Sequence, residues 1–137
     1  MNLIEKLKQN NYSLVASNGY YSCDSGIKPI INKMNEDIHY FKDLEIADKI
    51  VGKASSMLLI LSGIKKVNAL VLSKQAKNIL DKYNIEYTYE QLVEYIINRK
   101  KDGMCPMEET VKDIDDLNEA FIALNKKIIA LTNSKQL

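Results

Sequence analysis

The chain is poor in metal-ligating side chains. It has one histidine, His39, and two cysteines, Cys23 and Cys105, with no spacing motif joining them. A protein zinc site draws most of its ligands from His and Cys, so zinc-activated water is not expected, and no metal or cofactor is assigned. Two unlinked cysteines also give no disulfide framework. No charge of one sign dominates, with 19 Lys and Arg against 18 Asp and Glu. General attraction to nucleic acid is therefore not expected. The eight tyrosines are scattered rather than set in a basic, aromatic stripe for single strands. The longest apolar run, Met57 to Leu61, is too short to span a bilayer. The first ten residues mix charged and apolar side chains without a leader-like apolar core. These readings point to a cytoplasmic chain with free thiols and no membrane contact.

At 137 residues with 46% apolar content, one domain can bury a core without staples. Residues 2–9 are expected to form a short helix. Tyr12 to Ala16 and Tyr20 to Cys23 flank Ser17-Asn18-Gly19, a hairpin signal. A short helix is expected from Pro29 to about Met34, then a strand from Leu44 to Ala47. The helix from Val51 to Ser62 is apolar on all sides at its centre, so it should be buried, with Gly63 as its stop. Val67 to Leu72 reads as a central strand, and Ser73 as the N-cap of the next helix. Ile85 to Tyr87 reads as a short strand. Thr88-Tyr89-Glu90-Gln91 matches a capping box, which predicts a helix ending near Asn98-Arg99. Pro106 opens another helix. The last runs from about Ile114 to Leu131, with Leu117, Phe121, Leu124, Ile128 and Leu131 as its apolar stripe. That stripe packs either on the domain or on a second copy, so a homodimer through this helix is one expectation.

A hairpin followed by alternating helices and strands predicts an α/β fold. The sheet is mixed and three-layered, with helices on both faces and an extra C-terminal helix. The whole chain, residues 1–137, is one domain, with a core over 12–110 and the C-terminal helix over 111–137. The order of elements resembles the cytidine deaminase-like fold. Ala47-Asp48-Lys49-Ile50-Val51-Gly52-Lys53-Ala54, Ser73, Asn98-Arg99 and Cys105-Pro106-Met107-Glu108 together resemble a small prokaryotic family of unknown function grouped with the deaminase-like proteins. The resemblance covers roughly residues 12–110 and implies the fold. Deaminases hold zinc with His or Cys at one helix start and with Pro-Cys-x-x-Cys at the next. Asp48 to Lys53 and Leu72-Ser73-Lys74-Gln75-Ala76 stand in those places here, without either ligand type.

Ligands of open α/β sheets bind beyond the carboxyl ends of the strands. Asp48, Lys49, Gly52 and Lys53 are expected there after one strand, and Ser73 after the next. A helix start with glycine and lysine suits an anion, although tight helix packing would equally account for Gly52. Asp48 with Lys53 makes a candidate acid–base pair. Asn98 and Arg99 are candidate ligand contacts, Arg99 for its planar fork. Cys105, read as a helix N-cap, is a candidate nucleophile because a helix start favours thiolate. Glu108, three residues on, is a further candidate ligand contact, or a structural cap that bonds back to the Cys105 backbone. The readings in play are a zinc-independent binder of a small anionic or nucleotide-like ligand, a non-catalytic interaction module, and a thiol enzyme using Cys105.

Overall fold

The computed structural model describes residues 2–98 and 100–136. A first helix, α1 (Leu3–Gln9), is capped by Asn2, whose side chain accepts the Glu5 N–H at 2.8 Å. The hairpin then forms between β1 (Leu14–Ala16) and β2 (Tyr21–Ser22), with Leu14 opposite Ser22. Gly19 turns it at φ +98°, a conformation that L side chains rarely adopt. After α2 (Lys28–Glu36) come β3 (Glu45–Val51), α3 (Lys53–Ser62), β4 (Lys66–Ser73), α4 (Lys74–Lys82) and β5 (Glu86–Val93). The chain closes with α5 (Pro106–Val111) and α6 (Leu117–Gln136).

The five strands lie in the order β2-β1-β3-β4-β5. β1 runs antiparallel to β2 and β3, while β3, β4 and β5 are parallel. The sheet is therefore mixed. Most of the core lies on one face, where α3 packs through Met57, Leu58 and Leu59, all fully buried. α2, α4, α5 and α6 contribute Ile30, Leu80, Val111 and Leu124 to the same cluster. α1 covers the opposite face through Leu7, against Val15 and Ala47. α3 is apolar nearly all round because helices and sheet enclose it. Gly63 ends it at φ +95°, as the left-handed stop requires. Among the described residues, no helix is long and apolar enough to cross a membrane.

Three expectations change. β3 extends to Val51, so Asp48 and Lys49 lie inside the strand, with Asp48 paired to Leu14 and Ala69. Their charges mask the strand in the sequence, but ladders on both sides hold the backbone extended. The segment read as a capping box and helix is strand instead. β5 pairs with β4 from Glu86 to Val93. Thr88 and the tyrosines suit a strand as well as a cap, and the free edge of β4 decides between them. Consequently Asn98 does not end a helix. It sits in a loop closed by a bridge between Ile97 and Met104, and Asn98 Nδ2 donates to Asp102 Oδ1 at 2.8 Å. Arg99 lies outside the described residues. Finally, α6 starts at Leu117, with Asp116 accepting the Glu119 N–H at 2.9 Å. Its stripe residues Leu117, Phe121, Leu124 and Ile128 pack on the domain's own core, while Leu131 is exposed.

Candidate functional site

α3 begins at the carboxyl edge of β3, with Gly52 as its N-cap. Gly52 has φ −108° and ψ −174°, extended backbone that any residue adopts. Close approach, not backbone conformation, explains the glycine. A Cβ there would lie 1.7 Å from Glu108 Oε1 and 2.9 Å from Ile96 Cγ1. The space is filled by Glu108, which reaches over from α5 and accepts the Ala54 N–H at 2.8 Å. The helix start read as an anion site thus already holds an anion, the protein's own carboxylate. This corrects the expectation that Glu108 caps its own helix. The Cys105 N–H donates instead to the Ile96 carbonyl at 2.9 Å. Glu108 is only 8% exposed. Burial pushes its carboxyl above the usual range, opposed by the Ala54 and Lys53 N–H groups and the Lys53 charge.

Beside this contact a cavity of about 330 Å³ opens between the start of α3, the flank of α4 and the segment that follows β5. Gln75, Asn78, Ile79 and Lys82 form one wall. Their i, i+3, i+4, i+7 spacing puts them on a single face of α4. Lys53, Glu108, Lys112 and Asp115 stand opposite, and Tyr95 and Met104 complete the lining. The Lys53 ammonium donates to the Lys112 carbonyl at 3.2 Å and lies 4.0 Å from Asp115 Oδ1. Among the described residues, the Gln75 and Asn78 carboxamides have no hydrogen-bond partner, leaving donors and acceptors open to the cavity. Three ammonium groups, on Lys53, Lys82 and Lys112, outnumber two carboxylates, on Glu108 and Asp115, in this lining.

Of the described residues singled out in the sequence, only Lys53 and Glu108 line this cavity, with Gly52 making room for Glu108. Asp48 and Lys49 point to opposite faces of β3. Lys49 donates to Asn11 Oδ1 at 2.7 Å, beyond the end of α1. Asp48 is 7% exposed, and its Oδ1 accepts the Ile50 N–H at 3.2 Å. Burial pushes its carboxyl up to about 7, against the pull of the Ile50 and Lys49 N–H groups. Asp48 and Lys53 therefore share no contact as an acid–base pair. Ser73 is fully buried, and its Oγ accepts the Ala76 N–H at 3.1 Å. It caps α4, as its sequence position predicts, and is not among the cavity-lining residues. Cys105 is half-buried and makes no side-chain cap at the start of α5. Neither Cys105 nor Asn98 is among the cavity-lining residues.

Sequence reading missed Gln75, Asn78, Lys82, Tyr95 and Lys112. The polar face of α4 was available as a signal, since Gln75, Asn78 and Lys82 fall on one side of a helix that starts at the sheet's carboxyl edge. Tyr95 and Lys112 carried no local signal, because the fold of residues 94–115 brings them in.

No curated protein matches the chain. A crystal structure of a DUF1893 family protein, TM1506, from Thermotoga maritima is similar, with a TM-score of 0.82 and 26% identity. The likeness covers 90% of this chain and 86% of that one. The family model described as "TM1506: Domain of unknown function (DUF1893)" matches residues 2–128. With that match running through every strand and into α6, the chain belongs to the DUF1893 family.

Proposed function

We propose that the chain is a binding domain for a small anionic or nucleotide-like ligand, held without zinc in the cavity at the carboxyl edge of the sheet. The observation that carries this reading is the lining of that cavity: three lysines, two unbonded carboxamides and an apolar strip of Ile79 and Met104. A few convergent polar groups on an apolar wall are the usual make-up of a small-molecule site. Lys53, Lys82 and Lys112 meet the anionic group. Gln75 and Asn78 read a polar edge, and Tyr95 offers a ring to stack on. The same fold reading likens the scaffold to cytidine deaminases. Lys53 and the Ser73-Lys74-Gln75 segment stand at the two helix starts, and lysine, serine and glutamine are poor zinc ligands. Cys105 and Asp48 lie outside the cavity lining, so the reading assigns binding and no reaction.

Thermal denaturation in the presence of inorganic phosphate, phosphorylated sugars and nucleoside monophosphates tests it. A ligand at a hundred times its Kd stabilises the protein by about 2.7 kcal/mol. Lys53→Ala and Gln75→Ala should remove most of that gain. If none of these compounds raises the melting temperature, or both variants respond like the parent, the cavity is not such a site.

A further inference from the structure

The polar groups of the cavity are arranged by kind. Along the lining face of α4, Gln75 and Asn78 come first and Lys82 last. Gln75 and Lys82 stand on that face roughly 10 Å apart along the helix axis. The neutral carboxamides therefore lie toward the carboxyl edge of the sheet, where α4 starts, and the cation lies at the far end. Of the three lysines, Lys53 is already engaged by the Lys112 carbonyl at 3.2 Å and by Asp115 at 4.0 Å. Lys82 and Lys112 have no carboxylate partner among the described residues.

Glu108 adds the third kind of group. The Ala54 N–H donates to its Oε2 at 2.8 Å, and the missing Cβ of Gly52 makes its seat. A carboxylate has about four lone-pair sites, so that bond leaves acceptor capacity to spare on a group already held in place. An acceptor of this kind calls for donors from a ligand. It also opposes a second negative charge beside it. Hydroxyl groups meet both demands, and they donate to and accept from carboxamides equally well. The volume, about 330 Å³, lies at the lower end of the range of about 300–1,000 Å³ for ligand pockets. Tyr95 is the one aromatic side chain among the described lining residues, so a base would have a single ring to stack on, whereas the C–H face of a sugar needs no more than one.

We propose that the ligand of this cavity is a phosphorylated sugar or polyol with one phosphate, whose hydroxyls donate to Glu108 and bond to Gln75 and Asn78. The phosphate meets Lys82 and Lys112. This rests on the reading of the cavity as an anion-binding site and adds the class of ligand. Carboxamides also read the edges of bases, so nucleoside monophosphates are the competing class.

Isothermal titration calorimetry on the full chain separates them. The probes are glycerol 3-phosphate, ribose 5-phosphate, glucose 6-phosphate, the 2-deoxy forms of the two sugars, inorganic phosphate, and adenosine and uridine monophosphates. At least one of the three hydroxylated phosphates should bind about tenfold or more tighter than inorganic phosphate and than either nucleotide. Glu108→Gln keeps an acceptor for the Ala54 N–H but loses the charge. It should weaken the best sugar or polyol phosphate about tenfold, and bind inorganic phosphate as well as the parent does or better. A Glu108 that serves only as the cap of α3 would leave the two ligands in their original ratio, and that result overturns the proposal. So does a nucleotide that binds as tightly as the best hydroxylated phosphate, or inorganic phosphate that does so; in both cases the cavity still binds an anion and only the class is wrong. No binding by any probe overturns the class and the anion-site reading together. Should Glu108→Gln fail to fold, Asn78→Ala on the exposed face of α4 decides by the same ratio of sugar or polyol phosphate to inorganic phosphate.

Discussion

Gly52→Ala is the substitution whose effect the structure determines most directly. The backbone at Gly52, φ −108° and ψ −174°, is open to alanine. Alanine would on its own add about 0.4–1 kcal/mol of stability by narrowing the unfolded chain. The new Cβ, however, would fall 1.7 Å from Glu108 Oε1 and 2.5 Å from Glu108 Cδ. The carboxylate must leave the start of α3, and the Ala54 N–H then loses its acceptor. A hydrogen bond to a charged group contributes about 1.5–3 kcal/mol, so the net loss is about 2 kcal/mol. For a chain of this size that lowers the melting temperature by about 6–8 °C. Circular dichroism melts and urea unfolding both read it. Glu108→Ala supplies the decisive control, because it removes the two atoms nearest the added methyl and leaves the Ile96 side chain as the next. In the Glu108→Ala background, Gly52→Ala should cost close to nothing, giving a coupling of about 1.5–2 kcal/mol. If Gly52→Ala melts within about a degree of the parent, or costs the same with and without Glu108, the close-approach argument is wrong.

Other consequences follow from buried polar groups. The folded-state value of Asp48 lies at about 7, above the ordinary carboxylate value of about 4. The native state therefore holds a proton that the unfolded chain has already lost, and stability falls as pH rises from about 4 to 7. Glu108 is shifted in the same direction and adds to the slope. Asp48→Asn should flatten that slope and melt higher than the parent above pH 7. Melts across this range check it, and an unchanged slope would remove Asp48 as the cause. Ser62 is fully buried, and its Oγ accepts the Phe41 N–H at 2.9 Å. Ser62→Ala should cost about 1–3 kcal/mol by leaving that N–H unpaired, read by urea unfolding. A cost near zero would mean that the N–H finds another acceptor.

The sequence by itself determined the features whose causes are local. Asn18-Gly19 specified the hairpin turn, Ser73 the cap of α4, Gly63 the stop of α3, and the apolar run from Met57 the burial of that helix. Each depends on a backbone conformation, a side-chain reach of three residues or a period within one element. The shortage of His and Cys is likewise a property of composition alone. What only the tertiary structure decided are the matters set by distant partners. Thr88 to Gln91 suits a cap or a strand, and pairing with β4 made it strand. Asp48 and Lys49 read as loop residues until the ladders of Asp48 to β1 and β4, and the Lys49 N–H bond to the Ser13 carbonyl, held them in β3. Glu108 had a local acceptor role available, yet the stronger demand came from α3, a central helix whose buried first turn exposed N–H groups without a side-chain cap of its own. The cavity combines a legible face of α4 with residues from the loop and helix that follow β5. No spacing in the chain announces that meeting, because it is produced by packing across the core and not by the period of any one element.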